Sequence, residues 1–149
     1  MVKRLLVMGV IVLCFGTITV IWLKASSELT LSKPVLIDQK EDDFILHMRI
    51  ENSTEGFRIL HSLEYTGQEP VTIEHRTPLT FVSFGVDKST FTGSPVTKAL
   101  QPGDIYRPNV ISETYNVLKK GVGQVYVHCQ FKVGDKLMNI TVNKDLNLK

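Results

Sequence analysis

Residues 123–142 read "GQVYVHCQFKVGDKLMNITV", and their strict two-residue alternation constrains the fold more than any other stretch. Val125, Val127, Cys129, Phe131 and Val133 share one parity, while Tyr126, His128, Gln130 and Lys132 take the other. Gly134-Asp135 then offers a two-residue turn, and Met138, Ile140 and Val142 share a face on the way back. Side chains of neighbouring strand residues point to opposite sides of a sheet, so this segment predicts a hairpin with one apolar and one polar face. The adjacency His128-Cys129 has the residue types of a catalytic or zinc site. Alternation sends the two side chains apart and seats the thiol among four apolar residues, as a small core hydrophobe.

The same period recurs upstream. "FILHMRI" sets Phe44, Leu46, Met48 and Ile50 against Ile45, His47 and Arg49. In "GFRILHSLEY", Phe57, Ile59, Leu63 and Tyr65 agree in parity and Leu60 does not. "VTIEHRTPLTFVSF" predicts two extended pieces broken at Pro78, with Val71 and Ile73 in the first and Leu79 and Phe81 in the second. Turn signals at Thr66-Gly67-Gln68, Thr92-Gly93-Ser94-Pro95, Gln101-Pro102-Gly103-Asp104 and Gly121-Val122-Gly123 separate the runs. Short alternating strands at this spacing predict an all-β, two-sheet antiparallel sandwich. Ile111, Tyr115 and Leu118, followed by Lys119, Lys120 and Gly121, instead suggest a short helical turn between sheets.

Before the sandwich lies a different kind of segment. Lys3 and Arg4 precede a run from Leu5 to Leu23 with no charged side chain, and Lys24 follows. Nineteen such residues make a helix of about 28 Å, close to the hydrocarbon thickness of a bilayer. Trp22 sits at its far end, where interfacial rings collect. The expected organisation is a cytoplasmic tail at 1–4, a transmembrane anchor at 5–23, a tether at 24–33 and an extracytoplasmic domain at 34–149. Ala25-Ser26-Ser27 supplies small residues for an alternative, cleavage of a signal peptide and secretion. Val12 and Leu13 before Cys14 do not form a lipidation site.

Charge and motifs narrow the function. The chain carries +2, but Lys3, Arg4 and Lys24 supply +3 of it and leave the remainder at −1. That is no footprint for nucleic acid, which demands clustered cations. Of two cysteines, Cys14 and Cys129, only the second lies in the domain, so no internal disulfide is expected. His47, His61, His75 and His128 form no local metal-binding spacing; a site across strands would need, for example, His47 beside His128. Hydrolase and phosphate-loop motifs are absent. The triplets Asn52-Ser53-Thr54 and Asn139-Ile140-Thr141 match the short N-glycosylation pattern.

These features point to a non-catalytic interaction or accessory module on the outer face of a cell membrane, with no cofactor or metal. Its partner would be a protein or a cell-wall component. Binding is expected on loops: Phe91 within the polar connection "FGVDKSTFTGSP", and Tyr106 and Arg107 within "QPGDIYRPN".

The succession "EPVTIEH", "LTFVSF", "ALQPGD" and "GVGQVYVHCQFKV" resembles the immunoglobulin-like domains of small bacterial envelope proteins, including the Bacillus intracellular proteinase inhibitor family. Leu100, Pro102, Gly103 and Asp104 match that family's turn, with Asp for Glu, and Gly123 and Tyr126 match its closing strand loosely. The resemblance implies an immunoglobulin-like sandwich. It also implies an alternative role, inhibition or regulation of an extracytoplasmic protease.

Overall fold

A computed structural model describes residues 30–54, 56–108, 114–115 and 121–148. The expected anchor and most of the tether lie outside these residues. The described chain is all-β. Its strands are β1 (Val35–Glu41), β2 (Phe44–Ser53), β3 (Gly56–Tyr65), β4 (Val71–Phe84), β5 (Pro95–Leu100), β6 (Ile105–Tyr106), β7 (Thr114–Tyr115), β8 (Gly121–Val133) and β9 (Lys136–Leu148).

They form two antiparallel sheets. The first has the order β1-β2-β3-β6, with β7 also pairing to β3; the second has the order β5-β4-β8-β9. The predicted hairpin is β8–β9, in register from Gly121↔Leu148 to Val133↔Lys136 around Gly134-Asp135. Gly134 has φ 57°, the left-handed conformation that a two-residue hairpin turn requires. At the crossing from β5 to β6, Asp104 N–H donates to the Gln101 carbonyl (3.0 Å) and Gln101 N–H to the Asp104 carboxylate (2.9 Å).

Alternation builds the core as expected. Phe44, Leu46, Met48 and Ile50 face Val125, Val127, Cys129 and Phe131 across the space between the sheets, and all are buried. The rings of Phe44 and Phe131 meet edge-on with centroids 4.8 Å apart, joining β2 to β8. Phe57, Ile59, Leu63 and Tyr65 are buried too, whereas Leu60, the residue out of parity, is 40% exposed.

Two expectations are corrected. Pro78 does not divide its segment: β4 runs unbroken from Val71 to Phe84, and the register against β8 shifts between His75 and Thr80. Proline lacks an N–H for the ladder, and the slip absorbs this by burying both Leu79 and Thr80 while Phe81 turns to the outer face opposite His128. The helical turn fails at Thr114-Tyr115, which pair with Arg58 and Phe57 as a short strand; residues 111–113 and 116–120 lie outside the description. Packing contacts also reach the end of the expected tether. Leu31 is 5% exposed, and the Asn52 carboxamide holds its backbone twice, accepting from Leu31 N–H (2.7 Å) and donating to Leu31 O (3.0 Å).

Candidate functional site

The two outer faces differ in how far their polar groups are already used. On the first sheet, His47 of β2 stands between two carboxylates, with Nδ1 2.8 Å from Asp38 on β1 and Nε2 2.7 Å from Glu64 on β3. The hydrogen bond to Asp38 does most to raise the pKa of His47 above 6.5; burial opposes it, and the bond to Glu64 adds to the rise. One row along, Glu51 is bound by Arg58 and by Arg49, and Arg58 first among them holds its carboxyl below the usual range. Charge meets charge across this face.

On the second sheet, a loop from Gly85 to Ser94 folds back over the outer surface of its own strands. Contacts along its length hold it. His128 Nε2–H donates to Asp87 at 2.6 Å, and Phe91 sets its ring against Phe81 at 6.5 Å between centroids. At its end, Thr77 N–H donates to Ser94 O (3.0 Å) and Arg76 Nη1 to Gly93 O (3.1 Å). The approach at Gly93 leaves no room for a side chain, because a Cβ there would lie 1.7 Å from Thr77 O. Between this loop and β9 opens a cleft of about 250 Å³, lined by Glu74, Arg76, Phe91, Gln130, Lys132 and Leu137 among others.

Of the residues expected at a binding surface, the structure puts Phe91 in this cleft, half-buried. Tyr106 is half-buried on β6, and its hydroxyl donates to His75 Nε2 at 3.0 Å while His75 Nδ1–H donates to Arg76 O at 2.8 Å. It thereby bridges the two sheets, and burial raises the pKa of its phenol. Lys98 Nζ lies 5.9 Å from the centre of the Tyr106 ring. Arg107 is exposed. The three therefore do not converge.

Cys129 is fully buried, and burial pushes its thiol up to about 12. Its cross-strand neighbour is Thr80, whose buried Oγ1 has no conventional hydrogen-bond partner among the described residues and lies against the thiol, offsetting a small part of that rise. His47 and His128 lie on the outer faces of different sheets and do not share a site. No cluster of three or more His, Cys, Asp or Glu side chains suited to a metal ion is found among the described residues.

Several polar residues of the second face escaped attention in the sequence. Gln130, Asn139 and Asn143 make no side-chain hydrogen bond among the described residues, and Asp87 gives His128 its partner from 41 positions away. The only available signal was the ladder Asn139, Thr141, Asn143, Asp145, Asn147, polar at every second position of the return strand. Comparison with protein-family models, with curated proteins and with solved structures gave no match.

Proposed function

We propose that this chain is a membrane-anchored, extracytoplasmic interaction module of immunoglobulin-like build, which recognises a protein or cell-wall partner without catalysis. The single observation that carries the reading is the loop from Gly85 to Ser94. Fastened at Asp87, Phe91 and Gly93, it walls a preformed cleft on one face of a rigid sheet, and preorganised surfaces bind at lower entropic cost.

The strand order supports the immunoglobulin-like part. The chain leaves the first sheet after β3, makes β4 and β5 in the second, returns for β6 and β7, and closes with β8–β9. Sandwiches of that class cross between sheets in this order. The non-catalytic part rests on Cys129, whose buried thiol is far from the thiolate form that nucleophilic chemistry needs. The uncharged run Leu5–Leu23 behind Lys3 and Arg4 supports the anchor and the outward domain.

Crosslinking in intact cells followed by recovery of the full-length chain tests recognition. A specific crosslinked species that disappears in Phe91→Ala is the expected result. Identical crosslinking by Phe91→Ala and the wild type, or none by either, argues against the cleft as the contact. External protease added to intact cells tests location: a domain cleaved only after lysis overturns the extracytoplasmic assignment.

A further inference from the structure

Beside the cleft, β8 and β9 carry three consecutive cross-strand rows on their outer face: Gln130–Asn139, His128–Thr141 and Tyr126–Asn143. Their chemistry is unusual for a protein surface in one respect. Apart from His128, which is committed to Asp87, the six side chains are three carboxamides, a hydroxyl and a phenol, with no carboxylate, ammonium or guanidinium among them. The first sheet, by contrast, spends its outer face on the ion pairs of His47 and Glu51.

The carboxamides of Gln130, Asn139 and Asn143 have no side-chain hydrogen-bond partner among the described residues, so each presents two N–H donors and a carbonyl acceptor to solvent. Thr141 is oriented as well: its hydroxyl lies 3.4 Å from Nδ1 of His128, and Asp87 fixes the other side of that ring. Alternate residues on a strand are about 6.8 Å apart, so three rows extend roughly 14 Å in a line. The line runs into the cleft, which shares Gln130, adds Phe91, Pro95 and Leu137 as apolar surface, and carries Glu74, Arg76 and Lys132 with charges of both signs at its margin. Tyr126, half-buried, adds a second ring farther along.

We infer that this face binds an uncharged, extended saccharide chain. A hydroxyl-bearing ligand both donates and accepts, as three unspent carboxamides require, and its C–H faces suit the Phe91 and Tyr126 rings. Other occupants fit worse. A polyanion or polycation finds no charge in the three rows and charges of both signs at their margins, Arg76 and Lys132 with Glu74 at the cleft and Asp145 at the far end. An apolar protein surface would strand the carboxamides, at about 1–3 kcal/mol for each buried group left unpaired. The inference rests on the extracytoplasmic reading above, since that is where such a chain would meet a glycan.

The test uses the full-length chain in detergent, sedimented with insoluble chitin, cellulose or β-1,3-glucan and competed with the matching soluble oligosaccharide. The expected result is retention on at least one polymer, displaced by its oligosaccharide and insensitive to added salt. Asn139→Ala with Asn143→Ala should weaken retention roughly tenfold or more, the equivalent of about one good hydrogen bond. Leu60→Ala, on the opposite outer face, should leave it unchanged, and a wild-type melting temperature for both variants excludes misfolding as the cause. Retention on none of the polymers, retention abolished by salt, or retention indifferent to the Asn139 and Asn143 changes would each overturn the inference. Protease accessibility in intact cells separates the two readings. A domain that binds glycan but is shielded inside the cell fails only on location, and an exposed domain that binds none fails only here.

Discussion

The phenol of Tyr106 donates to Nε2 of His75 at 3.0 Å, and this bond ties the first sheet to the second across a 31-residue separation. Tyr106→Phe should therefore lower stability by about 1 kcal/mol, since it leaves a buried imidazole acceptor without its donor. Tyr106→Ala should cost more, because the half-buried ring goes too, while Arg107→Ala should stay within about 0.5 kcal/mol of the parent. Denaturant unfolding of the three variants checks this, and equal midpoints for Tyr106→Ala and Arg107→Ala would contradict it.

Gly93 faces a fixed obstacle. A methyl group there meets the backbone oxygen of Thr77, which no side-chain rotation can move aside. Gly93→Ala should displace the loop and release its fastenings at Asp87 and Phe91. The expected readout is faster amide exchange through residues 85–94, with the β8–β9 hairpin still protected. Unchanged exchange in the loop would show that the close approach does not hold it.

Modification of Cys129 should require opening of the core. With the thiol buried and its pKa pushed up to about 12, a thiol reagent added to native protein should react far more slowly than with a denatured control. The rate should climb with denaturant as the unfolded population grows. Prompt labelling of the folded domain would overturn the core assignment.

The pH dependence of stability should carry a signature of His47. Its folded pKa lies above 6.5 because Asp38 and Glu64 stabilise the charged ring. A raised cationic pKa contributes stability that is fully present below the unfolded value and is lost as pH rises through the folded one. Wild-type stability should therefore decline on moving from below pH 6.5 through that raised value, relative to His47→Gln. His47 and its partners are partly exposed, so added salt should shrink the difference. Parallel pH profiles for the two proteins would exclude the contribution.

What could be read in advance was whatever alternation alone decides. The divergence of His128 from Cys129, the turn at Gly134-Asp135 and the exposure of Leu60 all follow from parity within one strand. Features set by contact between distant segments were illegible. Nothing around Tyr106 announces His75, and nothing around His128 announces Asp87, so one residue reads as a loop anchor and the other as a member of the polar face. Pro78 was visible as an interruption, but its remedy, a slip that buries Thr80 beside Leu79, depends on β8 across the sheet. The ladder from Asn139 to Asn147 was in plain view. Alternation says which side of a hairpin is wet and not whether that side is occupied.

The double hydrogen bond from Asn52 to Leu31 also decides how tension on the N-terminal segment would enter the fold. Without it, a pull at residue 30 would fall on the first rungs of β1, an edge strand that can be peeled from β2 one pair at a time. With it, the load reaches the interior strand β2 directly, ahead of the β1 ladder. The clamp acts as a strain relief, so a domain tethered to a moving surface would keep its second sheet undisturbed while the first takes the strain.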